Sequence, residues 1–435
     1  MALPKAKQEL TDRTLAEMRA PSGGAWIKEA RQAARQRVAI LGMPVRKDEY
    51  WRFTDPEAWT IAEPRFDTKT ETSDIFDEAK PLSLVFVDGV FDADASDELS
   101  MEGVSIELLS QAAEADLHWA KPIYGALEAA SNEAKRRDGA ALFKPVPRPL
   151  AALNTAIAAE GVLIHATGKA PRPIRLSYRS NGGQSVLHNI VKVDEDAEVT
   201  ILEEGHPGAR FDTMTEAVIA DRGAMHHLRV QGRVSEADVM NQLYARLGRE
   251  STVKSFTLSV DGIATRNETV FELTGDDGVA HVAGACLGDG ADDKFHHDDT
   301  VYITHDAVNC ESRQVFKKVL RNGAVGVFQG KILVQPDAQK TDGYQISQSL
   351  LLDDDAQFLA KPELEIYADD VACSHGSTSG AIDEEALFYL RSRGVSRKTA
   401  EDLLTISFLA EALEEIDDED LAEAVLNRIE DWLRG

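Results

Sequence analysis

Cysteine is scarce in this chain of 435 residues, which has three: Cys286, Cys310 and Cys373. A small, odd number cannot form a disulfide framework and leaves one thiol unpaired, so a reducing compartment is expected. Aromatic residues make up 6% of the sequence, and no apolar run approaches the roughly 20 residues that span a bilayer. The opening stretch, MALPKAKQELTDRTLAEMRA, is polar and lacks the apolar centre of a signal peptide. The expectation is a soluble, cytoplasmic protein. Also missing are the GxxxxGK[ST] phosphate loop, a strand-linked GxGxxG, the GxSxG elbow and HExxH. Without a phosphate loop the chain should not hydrolyse nucleotides by itself, and any ATP dependence would belong to a partner.

Positive charge is in short supply as well. There are 75 acidic and 47 basic residues, a formal net charge of −28. That balance disfavours nucleic acid or an anionic membrane as a partner. The excess serves solubility first, but it is uneven: from Asp353 onward there are 22 acidic and 7 basic residues. The acidic tail is a candidate docking face.

The chain is long enough for more than one core. Residues 1–55 read as helical, with Leu10, Leu15, Met18, Ile27, Ala30, Ala34, Val38 and Leu41 recurring at three- and four-residue steps. The segment closes on Tyr50-Trp51-Arg52-Phe53, aromatics placed to anchor a core edge. A buried strand is expected at 82–87 before the turn Asp88-Gly89, and helical stretches at 110–116 and 123–135. The stiff run Pro145-Val146-Pro147-Arg148-Pro149 marks a boundary.

Beyond it, short β-rich segments follow every ten to twelve residues: 162–165, 174–178, 186–193, 199–202, 215–220, 226–230, 241–246, 253–260, 268–273, 281–285 and 300–304. No helix pattern interrupts 161–353. Helix-free strand runs of this length suit a sandwich, a barrel or a solenoid, and eleven strands without an immunoglobulin-type cysteine pair favour a β-helix. No strict short repeat is visible. Helices return after Asp369. Asp383 can cap a helix that starts at Glu384 and stops at Gly394, with Ile382 and Leu387 as a staple. A second helix, 397–415, has Ala400, Leu403, Leu404, Ala410 and Leu413 as its stripe, and a third carries Leu421, Val425, Ile429 and Trp432 on one face. The expected division is thus an N-terminal helical and mixed region (1–150), a β-helix (151–365) and a C-terminal helical domain (366–435).

Metal-competent residues meet a turn and a helix start at Cys373-Ser374-His375-Gly376. In extended chain Cys373 and His375 share a face while Ser374 points away. A thiolate beside an imidazole suits zinc, iron or an iron–sulfur cluster. Two ligands do not close a metal site, so the remainder must come from elsewhere; a packed turn with a satisfied imidazole is the bland alternative. The run His296-His297-Asp298-Asp299, with His305-Asp306, could bind a metal, but a structural or surface role is favoured because neighbouring histidines of a strand face opposite sides. Cys286 and Cys310 are 24 residues apart and could meet across a coil or remain inert buried thiols.

Three stretches carry a family resemblance: GVFQGKILVQPDAQKTDGYQISQSLLL (326–352), KPELEIYADDVACSHGSTSG (361–380) and DEEALFYLRSRG (383–394). Glu49-Tyr50-Trp51-Arg52-Phe53-Thr54 adds an E-x-W-R-x-T element. Together they resemble the SufB/SufD scaffold family of the Suf iron–sulfur cluster assembly system. Three cysteines, none in the last sixty residues, separate the chain from the SufB side of that family. The resemblance implies a mainly β fold: a right-handed parallel β-helix between an N-terminal helical region and a C-terminal helical domain. It implies a non-enzymatic subunit that pairs with SufB through the end of the β-helix and docks the SufC ATPase on its C-terminal helices. Asp383, Leu387, Phe388, Leu390, Arg391 and Arg393 are the candidate SufC contacts. A nascent iron–sulfur cluster shared with SufB would be ligated by His375, with Cys373 in the accompanying position. Ser377 stands where the family commonly has alanine. The resemblance also raises a flavin in the complex and self-pairing of an isolated chain. The competing reading from architecture alone is a β-helix enzyme acting on carbohydrate.

Overall fold

Two sheets of ten strands each face one another along the molecule. The structure, a computed structural model, describes residues 3–60, 74–132, 136–137, 140–141, 145–205, 208–231, 237–260, 262–291 and 294–434. The first sheet runs through Leu82–Val87, Ile174–Arg179, Glu198–Gly205, Ala224–Gln231, Thr252–Val260, Val279–Asp289, Glu311–Arg321, Asp342–Leu351 and Ala372–Gly380. The second runs through Val104–Leu108, Val162–Ala166, Gln184–Val193, Arg210–Ile219, Asp238–Leu247, Ala264–Leu273, His296–His305, Val325–Val334 and Gln357–Ile366. The chain alternates between the sheets, and the successive rungs from Val162 onward pair in parallel, giving a β-solenoid of about seven turns.

Six successive turns share the same corner. A residue with positive φ sits between a second-sheet strand and the next first-sheet strand: Asp196, Arg222, Glu250, Asp277, Asn309 and Lys340. Each donates its backbone N–H to a carbonyl of the next coil's corner, as in Arg222 N to Arg249 O at 2.8 Å and Asp277 N to Val308 O at 3.0 Å. The corner recurs in backbone geometry while its residue type varies. Three of these side chains, Arg222, Glu250 and Lys340, lack the short Asn or Asp polar group and tolerate the left-handed region because the next coil fixes the turn.

Inward residues of the two sheets form one core, with Val301, Ile303, Phe316 and Phe328 among its members. The rings of Phe316 and Phe328 lie 4.9 Å apart across it. The outer face of the first sheet is apolar too, and it carries the C-terminal helices Arg397–Leu413 and Glu419–Arg434. Leu409, Ala412, Leu421, Val425, Ile429 and Trp432 pack on Leu228, Phe256, Ala285 and Val319. Fully burying a large aliphatic side chain stabilises by about 1.5–3 kcal/mol, so this face holds the helical domain firmly. Leu403 is 47% exposed; the buried stripe passes instead through Ala400, Thr405, Leu409, Ala412 and Leu413.

On the outer face of the second sheet lie Lys5–Glu17, Ala25–Leu41 and a further helix, Pro149–Ile157. The proline run therefore opens a helix that packs on Ala34 and Val38, with proline placed where its missing N–H costs nothing. The helical pattern at the N-terminus stops at Leu41, and the stretch expected at 123–135 contains the short helix Ala126–Ser131. Trp51 is buried, and the Arg266 guanidinium stacks 4.3 Å from its ring. Both expected domain limits are crossed by the solenoid: Leu82–Val87 and Val104–Leu108 belong to its sheets, and so does Ala372–Gly380.

Candidate functional site

The two ends of the solenoid differ. At the beginning, the hairpin strands Val90–Phe91 and Ser100–Met101 cover the sheet edges by antiparallel pairing. At the other end Gln357–Ile366 and Ala372–Gly380 each pair on one side only. Both sheets thus finish in open edges at the same end, an arrangement that folded proteins normally blunt or cover.

Cys373 and His375 stand on that last strand. It continues through Cys373-Ser374-His375-Gly376 as far as Gly380, so these residues form an edge strand and not the tight turn expected from the sequence. Its register is fixed by pairing: Cys373 is level with Gly343, His375 with Gln345, Ser377 with Ser347 and Ser379 with Ser349. Ser347 in turn is level with the inward Phe316. The alternation then turns Cys373, His375, Ser377 and Ser379 inward, toward the mouth of the solenoid. By the same counting from Phe328, the opposite wall is Phe358, Ala360, Pro362, Leu364 and Ile366. The mouth has one polar wall and one apolar wall.

Hydroxyls bind the polar wall to the rung below: Ser347 donates to Ser377 at 3.1 Å and Ser349 to Ser379 at 2.9 Å. Cys373 is half-buried and packs with Ile332, Val334 and Leu364. A side chain on Gly343 would come within 3.1 Å of its sulfur, so that glycine leaves room for the thiol. Burial pushes the Cys373 thiol up, against a backbone hydrogen bond from Gly343 that pulls the other way. In the isolated chain it is therefore a protonated thiol at neutral pH, a poor ligand. His375 is exposed at the rim. Imidazole is the more available donor of the two, and an iron–sulfur cargo fits this nitrogen–sulfur pair only with further ligands from outside the chain.

The remaining candidates separate clearly. Cys286 and Cys310 are both buried. Glu311 pairs with Val279, so Cys310 is level with Gly278 and Cys286 lies eight residues further along, roughly 26 Å away. They cannot act together, and the Cys310 thiol donates to the carbonyl of Gly275 at 3.3 Å. The histidine run divides as alternation requires. His296 faces outward, where its Nε2 lies 3.0 Å from the Thr54 hydroxyl. His297 faces inward, with Lys318 Nζ 2.7 Å from its Nδ1 and Asp299 completing a buried ion cluster. Burial and the Lys318 charge push the His297 imidazole down to about 3, so it is a neutral structural group.

Of the candidate contacts on the helix Glu384–Ser392, Asp383 is its cap, accepting from Glu385 N at 2.8 Å and Ala386 N at 3.2 Å. Leu387 is buried and supports the helix from beneath, so direct docking at Leu387 is corrected to an internal role. Phe388 and Tyr389 are 74% and 57% exposed, Arg391 and Arg393 are exposed and Leu390 is intermediate. Exposed aromatics with adjacent arginines form a patch suited to a protein partner. Tyr389 and the mouth residues Gln345, Ser347, Phe358 and Pro362 escaped the sequence reading. Strand alternation could have found them, had the inward phase been known.

Residues 176–408 match the family described as SUF system FeS cluster assembly, SufBD core domain. The chain is similar to iron-sulfur cluster assembly protein SufD of Escherichia coli, with 29% identity over 420 residues and 92% of each chain covered. It is similar to iron-sulfur cluster assembly protein SufD of Bacillus subtilis as well, at 25% identity over 427 residues, covering 93% of this chain and 94% of that one. The matched region runs from the strand Ile174–Arg179 into the helix Arg397–Leu413 and takes in the whole open end. On that coverage the chain belongs to the SufBD family of iron–sulfur cluster assembly proteins, among its SufD-type members.

Proposed function

We propose that this chain is a non-catalytic scaffold subunit that pairs through its open solenoid end with a SufB-type partner and builds an iron–sulfur cluster at the shared mouth. The observation that carries the reading is the coincidence of both unpaired sheet edges with Cys373 and His375. A partner coil laid on those edges would satisfy their free backbone groups and cover the apolar wall. It would also bring the ligands that one imidazole and one thiol cannot supply. His375 is the principal ligand here, and Cys373 is subordinate to it until the partner alters its surroundings. The SufC ATPase docks on the C-terminal helices, with Phe388, Leu390, Arg391 and Arg393 as contacts and Asp383 and Leu387 holding that surface in shape. The regions 1–150, 151–365 and 366–435 are then functional divisions laid over a solenoid whose strands extend past both limits. Among the described residues no helix is long and apolar enough to cross a membrane. The carbohydrate-enzyme alternative has no support from the family or the relatives.

Pairing is tested by proline at the edge. Neighbouring residues of a strand send their N–H groups in opposite directions, so one of Thr378→Pro and Ser379→Pro removes an outward donor while sparing the pairing to Asp342–Leu351. Co-purification with a SufB-type partner should be lost in that variant without loss of the folded monomer. Retention of the complex in both variants would place the interface elsewhere.

A further inference from the structure

Gln345 lies at the floor of the mouth with its carboxamide unsatisfied. The residue is fully buried, and neither Oε1 nor Nε2 has a hydrogen-bond partner among the described residues. A buried polar group left without a partner costs about 1–3 kcal/mol, so its retention calls for an explanation. The space for this amide is built in: across the interior, a side chain on Gly330 would come within 2.2 Å of Gln345 Nε2. Help does not come from beneath, because Gln314, level with Gln345 in the rung below, also has an unpartnered amide. In the rung above, the level residue is His375.

A neutral imidazole has one N–H and one lone pair, and whichever nitrogen donates leaves the other to bind metal. Histidines that ligate metals nearly always donate their second nitrogen to an acceptor that fixes the tautomer. We propose that Gln345 is a positioning residue for His375: its carboxamide oxygen accepts the imidazole N–H, holding one tautomer and directing the free lone pair into the mouth. Rotation of two side chains on adjacent rungs makes the contact, with no change in backbone. This inference rests on the reading of His375 as a ligand.

The test is nitrogen NMR of the full chain with 15N-labelled histidine, at a pH where imidazoles are neutral, with His375→Ala assigning the resonance. His375 is expected as a single tautomer in the native chain and as an averaged mixture in Gln345→Met, which keeps the side-chain volume without the acceptor. Gln345→Glu should restore the single tautomer, because a carboxylate accepts at least as well. Gln345→Asn, which withdraws the amide by one methylene, should also give the mixture and serves if the methionine variant does not fold. A mixture in the native chain, or a single tautomer surviving in Gln345→Met or Gln345→Asn, overturns the proposal. In the assembled complex, apparent iron affinity should fall roughly 10–100-fold in Gln345→Met. The two readings fail separately. Normal iron in His375→Ala would remove the ligand role and leave the tautomer result standing, whereas an unresponsive tautomer would remove Gln345 alone.

Discussion

Cys373 and His375 share the inward face of one edge strand, level with Gly343 and Gln345 of the rung below. The pair is unequal, since the thiol is packed among aliphatic side chains and the imidazole stands at the rim. If the proposed cluster site is here, these two residues supply only part of its ligands and the rest must come from a partner.

Thiol chemistry should report that inequality. Under native conditions an alkylating reagent is expected to modify Cys373 slowly, because its thiol is held protonated, and to leave the buried Cys286 and Cys310 untouched until the chain is unfolded. Pairing with a SufB-type partner should protect Cys373. Peptide mass mapping after timed alkylation checks this, and labelling of Cys286 or Cys310 at the rate of Cys373 would contradict the placement.

The helix Glu384–Ser392 gives a second contrast. Phe388→Asp should abolish SufC binding while leaving the unfolding transition within about 0.5 kcal/mol, as expected for an exposed position. Leu387→Asp should cost roughly 2–5 kcal/mol by putting a charge where a buried leucine packs, and should loosen the helix itself. Calorimetry alongside a SufC pull-down separates the two. Equal destabilisation by both variants would mean that Phe388 is not a surface residue of the folded chain.

Much of the solenoid was legible because its strands follow one another at short intervals without helices between them. The repeat itself was hidden, since the left-handed corner is filled by Asp196, Arg222, Glu250, Asp277, Asn309 and Lys340 in turn, with no glycine to mark the period. The mouth was hidden for a different reason. In Asp342–Leu351 the apolar Tyr344 and Ile346 face outward to the C-terminal helices, and the polar Gln345, Ser347 and Ser349 face inward. A rule that sends apolar residues inside inverts this strand. Cys373 and His375 were found because their spacing does not depend on which face is the core, whereas Leu403 was misassigned because it lies just off the helix stripe that packs.

A buried carboxyl on the N-terminal side makes a pH prediction. Burial pushes Asp212 up to about 7, although Asn154 and Gln242 donate to it at 2.9 and 3.1 Å. The folded state therefore keeps a proton that the unfolded chain loses near pH 4. Stability should fall as pH rises between about 4 and 7 and stay reduced above that. Asp212→Asn should remove this residue's share of the slope and raise stability at pH 8 by no more than about 4 kcal/mol, each pH unit being worth about 1.4 kcal/mol. Urea titrations at several pH values check it, and a variant less stable than the native chain at pH 8 would mean that the carboxylate form is the one the site favours.

On the proposed function, His375 holds the nascent cluster at the open end. The direct measurement is iron and sulfide per complex, after anaerobic co-purification of the chain with SufB-type and SufC partners, for the native protein and for His375→Ala. The variant is expected to keep an intact complex and an unchanged unfolding transition and to show a marked loss of both iron and sulfide. An intact complex with native iron and sulfide would contradict it.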